Sequence, residues 1–381
     1  MAEGIFDVLI VGAGPGGSNA AAVCLDRGLT VAQVDASDFP RIKPCAGGLT
    51  PKSLAALRYA PDSCRQGSSD RFRFEWRTSP GYGFRHERTI LSFVHRPQFD
   101  NWLVGRNQVR SGFHFYPGEP ALSVEYRGCF ELATPRRTLR GRQLIGADGS
   151  YGIVNRIFGI SRPRGRATAL EAEVPRDASI EPAGEPRFDF GAVDQGYGWV
   201  FPKRDYWSVG VYTVADRAPR LREALRSYLE ERGFGDGEGL TLRGHRYPIG
   251  GYSIRVPQFP LYLVGDAGGF AEAITGEGIY YALESGRLAG LSAAAKVAGE
   301  AATRHFYAGL RRRVLRDTFL SWKFSRYFYR NPRRWLRVLG NPLAWRTLLE
   351  GYAEGATLAE CVFWSSLYLL RSRRHVSLAA S

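Results

Sequence analysis

Hydrophobic residues dominate the chain's opening. Ile5 to Val11 is apolar except at Asp7, the pattern of a parallel strand covered on both faces. Glycines follow at once. Ser18 to Arg27 then reads as an alanine-rich helix closed by Gly28. Thr30 to Val34 is a second buried strand, ending at Asp35, so the first segment is a βαβ unit. The period changes at Arg71. From there to Phe93, aromatic and polar residues alternate around Pro80-Gly81, which predicts antiparallel strands. Phe99 to Val109 reads as a helix, and Phe113 to Leu144 as further strands with a hairpin at Tyr126-Arg127-Gly128. Ala167 to Val214 is strand-rich with glycine turns, and Leu221 to Arg232 is an amphipathic helix. Leu261 to Gly265 is a short buried strand. Glu277 to Val297 is a long helix opening from a glycine-rich turn. Beyond Thr303 the pattern is helical, with breaks near Asn331-Pro332 and Asn341-Pro342. No repeat or low-complexity stretch interrupts this order.

Composition narrows the class. A chain of 381 residues with 44% hydrophobic content supports two domains or one large composite domain. No stretch reaches the ~20 apolar residues that span a bilayer. The longest candidate, Cys361 to Leu370, is too short and carries two serines. Met1-Ala2-Glu3-Gly4 lacks the basic flank and cleavage site of a signal peptide. The five cysteines are odd in number and scattered, which predicts reduced thiols in a cytoplasmic setting. Neither they nor the six histidines show the spacing of a metal site or a catalytic triad. The formal net charge is +15, and Arg304 to Arg374 carries most of it, with 15 Lys and Arg against four acids.

Candidate chemistry lies in short motifs with fixed order. Gly12-Ala13-Gly14-Pro15-Gly16-Gly17 follows a strand and opens a helix, the context that a dinucleotide fingerprint requires. Gly12 permits the turn, Gly14 lets the backbone approach a pyrophosphate, and Gly17 allows close helix–strand packing. The helix N-terminus offers free N–H groups to phosphates. Asp35, 23 residues after Gly12, can accept from the ribose hydroxyls and repels a 2′-phosphate, so NADP in this site is disfavoured. The chain has only one such fingerprint, so no separate nicotinamide domain is evident. Gly146-Ala147-Asp148-Gly149 forms a further motif. Asp266, after the strand Leu261 to Val264, suits a ribityl hydroxyl, although an ordinary helix cap is the alternative. Gly276 and Glu277 lead to Gly278 and Ile279, where bare N–H groups at a helix start can stabilise negative charge on a reduced flavin. A simple dehydrogenase needs neither feature.

With these residues in place, the chain from about residue 5 to 300 resembles the geranylgeranyl reductase family of FAD-dependent oxidoreductases. The likeness rests on Pro40-Arg41-Ile42-Lys43-Pro44-Cys45-Ala46-Gly47-Gly48-Leu49, on Arg96-Pro97-Gln98-Phe99-Asp100 with Trp102-Leu103, on Tyr197-Gly198-Trp199-Val200-Phe201-Pro202 followed by Lys203, and on Gly265-Asp266 through Ile279. It implies FAD contacts from Asp35, Cys45, Ala46, Gly48, Arg96, Asp266, Gly278 and Ile279. Two positions depart from the family. Ala46 stands where glycine is common, and Asn155 replaces the usual arginine after Gly149-Ser150. The first should spare cofactor binding; the second bears on local packing or on access of a reductant.

The expected fold is α/β: a Rossmann-type FAD-binding domain (1–70, 95–165 and 250–300), an antiparallel-sheet substrate domain (71–94 and 166–249) and a C-terminal basic, aromatic helical region (301–375). Tyr197, Trp199 and Phe201 alternate along one strand face. Taken alone they read as sheet core. The resemblance makes them an apolar slot for a prenyl chain, with Cys45, Tyr197 and Trp199 as candidate catalytic residues. Cys45 is either a small buried hydrophobe or a group that steers substrate or supplies a proton. The expected activity is reduction of carbon–carbon double bonds of an isoprenoid chain on a lipid, quinone or pigment. The external reductant would be NADPH, NADH or ferredoxin. A monooxygenase or halogenase on the same fold is the enzyme alternative, with Lys43 the only lysine near the flavin motifs. A non-catalytic electron-transfer partner is another. In the tail, Arg311-Arg312-Arg313, Arg333-Arg334 and Arg371-Ser372-Arg373-Arg374 interleave with aromatics from Phe319 to Trp364. That pattern fits a helical cap, docking on an anionic membrane at the inner face of the cell, or a landing site for an acidic electron donor. No nucleic-acid recognition motif accompanies the charge.

Overall fold

The computed structural model describes residues 4–77, 81–176, 184–215, 220–251, 253–295, 300–339, 342–357 and 360–361. The apolar opening strand, β1 (Phe6–Val11), lies inside a seven-stranded sheet. It pairs in parallel with β2 (Val31–Val34) and with the end of β11 (Thr138–Gly146). Parallel partners continue outward to β8 (Phe113–Tyr116) on one side and β19 (Leu261–Leu263) on the other. The first half of β11 pairs antiparallel with β10 (Phe130–Ala133), which forms the expected hairpin with β9 (Ser123–Tyr126). Helix α1 (Pro15–Asp26) covers this sheet and begins three residues before the sequence suggests, because Pro15 suits the first helical position.

The second large sheet runs β17 (Arg243–Ile249), β13 (Gly165–Pro175), β16 (Tyr206–Thr213), β15 (Gly196–Pro202), β14 (Arg187–Asp189), β5 (Arg71–Glu75) and β6 (Tyr82–Arg85). All neighbours are antiparallel except β14 and β5. Its outer face, with Leu170, Ala172, Val200, Val209 and Val211, packs on α5 (Leu221–Glu231) through Leu225, Tyr228 and Leu229. Its inner face looks toward the parallel-sheet unit. A three-stranded sheet of β3 (Gly48–Leu49), β7 (Leu91–Val94) and β4 (Arg65–Ser69) lies between, so the end of the aromatic segment Arg71–Phe93 pairs with residues from the nucleotide side. Helices α2 (Pro51–Ala56) and α4 (Val154–Phe158) are short, as is the strand pair β12 (Ser161–Arg162) and β18 (Ser253–Ile254), while α3 (Arg96–Gln108) packs on α1 and carries Arg96 to the cavity.

Helix α6 runs Ile279–Ala293, so Glu277 precedes it as part of the turn. It crosses α1 where neither helix has bulk: a Cβ on Gly286 would lie 2.2 Å from the Gly16 carbonyl oxygen. After it, α7 (Glu300–Leu310), a π-helical turn at Arg311–Leu315 and α8 (Arg316–Phe328) form one path. Then come α9 (Pro332–Leu339) and α10 (Pro342–Ala353). The proline break at Pro332 therefore falls where expected. Arg371 to Arg374, Phe363 and Trp364 lie outside the described residues. Phe328, Tyr329, Leu336, Leu348 and Leu349 pack with Tyr197, Trp199 and Phe201 in one hydrophobic cluster, so these helices cover the inner face of the second sheet.

Candidate functional site

One cavity of about 620 Å³ joins the two sheets. At one end it is walled by the first βαβ unit. Gly12 has φ +99, and a Cβ there would meet Ala147 O at 2.2 Å. The Cβ position of Gly14 lies 3.4 Å from the Arg41 guanidinium beside the cavity, so its bareness leaves room for a ligand at the start of α1. Gly16 also lines the cavity, but its Cβ position faces Val264 at 2.5 Å, and Gly17 does not line it: a Cβ there would strike Gly12 O at 2.1 Å. Their contribution is helix packing. Asp35 lines the cavity and accepts from Ala13 N at 2.7 Å and Ser37 N at 3.0 Å, with Arg41 3.7 Å away.

The middle of the cavity gathers Cys45, Ala46, Gly47, Gly48, Arg96, Asp148, Asp266, Gly276, Gly278 and Ile279. Arg96 is buried and holds Asp100 through two bonds of 2.8 Å. Burial opposes its charge, but the Asp100 carboxylate together with Cys45 outweighs burial and keeps the guanidinium above its ordinary value. Asp148 borders the cavity while its carboxylate accepts from Val154 N at 2.9 Å, which fastens the start of α4. Asn155, at the departure from the family pattern, bonds both N and O of Ser161 at 2.8 Å, a purely local brace. Asp266 accepts from Ser150 Oγ at 3.2 Å, and Ser150 Oγ lies 3.0 Å from His245 Nε2. Lys43 Nζ lies 2.7 Å from the same histidine nitrogen. Burial works against the Asp266 charge, yet the histidine and Lys43 more than offset it and hold the carboxyl below its usual range. Ser150 and His245 carried no sequence signal, because they are 95 residues apart and lie on different elements.

The turn before α6 is clamped. Tyr212, Tyr329, Tyr197 and Tyr247 donate their hydroxyls to the carbonyls of Ala273, Ile274, Thr275 and Gly276 respectively. Glu272 accepts from the Ile274 and Thr275 amides at 2.7 and 2.6 Å. The first turn of α6 is thereby held toward the cavity with its N–H groups unpaired inside the helix. These donors and the glycine cradle fit a dinucleotide–flavin cofactor. Gly12, Gly14, Asp35, the Cys45–Gly48 run, Arg96, Asp266 and Gly276 to Ile279 would hold it.

The wall opposite is the inner face of the second sheet. Tyr197, Trp199 and Phe201 all line the cavity, though only 7%, 3% and 5% exposed, so they are core and cavity wall at once. The Trp199 indole lies over Gly210, where a Cβ would sit 2.2 Å from the ring, and its Nε1 donates to Ser208 Oγ at 3.1 Å. Glu171 shares this wall. It is 6% exposed and accepts from the Cys45 amide at 2.7 Å. The sequence did carry its signal: Ala167, Ala169, Glu171 and Glu173 alternate with Thr168, Leu170, Ala172 and Val174. Lys203, also buried, donates to the Ala46 and Val94 carbonyls at 2.6 and 3.0 Å, and burial lowers its pKa to about 8.

No protein-family model matches the chain. An uncharacterized protein of Methanosarcina barkeri is 32% identical over 98% of this chain and 97% of its own. Menaquinone reductase of Mycobacterium tuberculosis is 32% identical, covering 74% of this chain and 75% of that protein. Geranylgeranyl diphosphate reductase of Rhodobacter capsulatus is 27% identical over 76% and 75%. Among solved structures, a geranylgeranyl bacteriochlorophyll reductase-like protein of Thermoplasma acidophilum superposes with a TM-score of 0.77 at 20% identity, covering 95% of each chain. The flavin-dependent brominase Bmp2 shares the fold at a TM-score of 0.73 and 18% identity, covering 97% of this chain and 100% of that one. The fold, the glycine cradle and the curated relatives agree: the chain belongs to the geranylgeranyl reductase family of FAD-dependent oxidoreductases.

Proposed function

We propose that this enzyme saturates carbon–carbon double bonds in an isoprenoid chain carried by a lipid, quinone or pigment. The observation that carries the reading is the aromatic wall of Tyr197, Trp199 and Phe201 facing the nucleotide cradle across one cavity. Bound FAD, reduced by NADPH, NADH or ferredoxin, supplies the hydride. The protein's share is alignment and dryness. The three rings give an apolar slot that orders a prenyl chain and expels water. Cys45 and Ala46 line the same cavity. Names of the curated relatives support prenyl-bearing substrates.

The basic helices support peripheral docking on an anionic membrane at the inner face of the cell. Arg313, Arg316, Leu320, Lys323, Tyr327 and Arg330 recur at helical spacing on one exposed stripe, and Leu320 and Tyr327 are 43% and 62% exposed. Among the described residues no helix is long and apolar enough to cross a membrane.

The deciding experiment incubates chemically reduced holoenzyme, without oxygen, with geranylgeranyl lipids and prenylated quinones, and reads products by mass. Added hydrogen pairs are expected. Unchanged lipids, followed by oxygenated or halogenated products once air and halide enter, would replace this reading with the monooxygenase or halogenase one.

A further inference from the structure

Resting on that reading, we propose that Glu171 is the acid that protonates the second carbon of the reduced double bond. Hydride brings one carbon its hydrogen and both electrons of that new bond. The π pair is left on the neighbouring carbon and must take a proton. The proposed step breaks the Glu171 O–H bond and forms the second C–H bond. It leaves a Glu171 carboxylate, which solvent then recharges.

The position follows from sheet register. Trp199 pairs with Gly210, Gly210 with Glu171, and Glu171 with Arg243, so one transverse row carries the indole and the carboxyl on the cavity side. One Glu171 oxygen accepts from the Cys45 amide. The other accepts from Ser208 Oγ at 3.4 Å, and Ser208 in turn holds the Trp199 indole. The acid is thus tethered to both candidate walls of the slot.

The other acids that line the cavity are committed elsewhere. Asp35 binds backbone amides at the nucleotide end, Asp148 holds α4, and Asp266 faces Lys43 and His245. Glu277 forms a 2.8 Å pair with Lys52. The hydroxyls of Tyr197, Tyr212 and Tyr247 donate to turn carbonyls. No ion pair reaches Glu171 among the described residues. Its register neighbour Arg243 pairs instead with Glu173, at 3.4 Å. Burial raises the Glu171 pKa, which favours the protonated form. The Cys45 amide and the Lys203 charge oppose this, while the Glu173 charge adds to it. Glu173 is two residues along the same strand face and 3.3 Å from His95, and both are part-exposed, so a route for recharging from solvent lies beside the acid.

The test compares wild type, Glu171→Gln, Glu171→Asp and Cys45→Ser as reduced holoenzymes across pH. A separate infrared titration without substrate follows the C=O stretch of protonated carboxyls. For wild type, kcat should fall as pH rises through the raised Glu171 pKa. Glu171→Gln should lower kcat by about 100-fold or more, with little change in KM, and remove that pH limb. Glu171→Asp should restore part of the rate. Burial also raises Glu272, to about 7, and Asp148 and Asp317, so the infrared band above the ordinary glutamate range should lose one component in Glu171→Gln relative to wild type, not all of its intensity. A Gln variant that keeps the wild-type pH limb, or a limb lost only in Cys45→Ser, overturns the proposal. So does a wild-type minus Glu171→Gln difference spectrum that shows no lost carboxyl component. If wild type reduces no prenyl chain, the functional reading falls and the proposal with it, whatever the infrared band shows.

Discussion

Single residues decide the shape of the slot, and Gly210 is the sharpest case. With a Cβ position 2.2 Å from the Trp199 ring, Gly210→Ala must push the indole off the sheet. We expect a loss of about 1–3 kcal/mol in denaturant unfolding and a shift in tryptophan emission, together with reduced prenyl turnover. Unchanged emission would mean that the indole does not rest there. Trp199 was visible in the sequence as part of an alternating stripe. Gly210 was not, because a glycine in a strand reads as a weakness until its cross-strand partner is known. Lys203 is a second residue with a measurable signature. Its pKa falls from 10.5 to about 8 on burial, so between those values the unfolded chain binds the extra proton and stability rises with pH. The rise should reach ~3 kcal/mol and be absent in Lys203→Met, as read by urea unfolding from pH 7.5 upward.

Elements place these residues, and most were legible because each has a clean period. The buried strands β1 and β2, the aromatic alternation of β15 and the amphipathic α5 all follow from local pattern. Start points were less legible. Helix α6 begins after Glu277 because that residue's carboxylate is engaged by Lys52, Thr50 and Ser53 in the preceding turn. The α1–α6 crossing also escaped the sequence: the motif named Gly16, but its partner Gly286 lies on a helix 270 residues away, visible only in the fold. Gly286→Val should therefore lever α6 off α1, weaken FAD retention and lower the melting temperature; FAD retained at wild-type stoichiometry would refute that coupling. On the exposed stripe along α8 and the turn just after it, reversing Arg316, Lys323 and Arg330 to glutamate should abolish sedimentation with phosphatidylglycerol vesicles at low salt. Binding that survives would place membrane contact elsewhere.

At the scale of the whole molecule, the glycine cradle and the aromatic wall of Tyr197, Trp199 and Phe201 line one volume, so neither is built without the other. The sequence supplied the parts in order but could not show that Tyr197, Tyr212, Tyr247 and Tyr329, from four places in the chain, meet at a single turn. That turn has a consequence for biosynthesis. Its four carbonyls obtain their tyrosine partners from residues 29 to 78 positions away, and the last of these, Tyr329, follows α8. A nascent chain emerging from the ribosome holds the whole glycine cradle long before it can finish this clamp. The clamp on this turn can therefore close only once Tyr329 has been synthesised, so the geometry of the turn depends on chain made well after the turn itself.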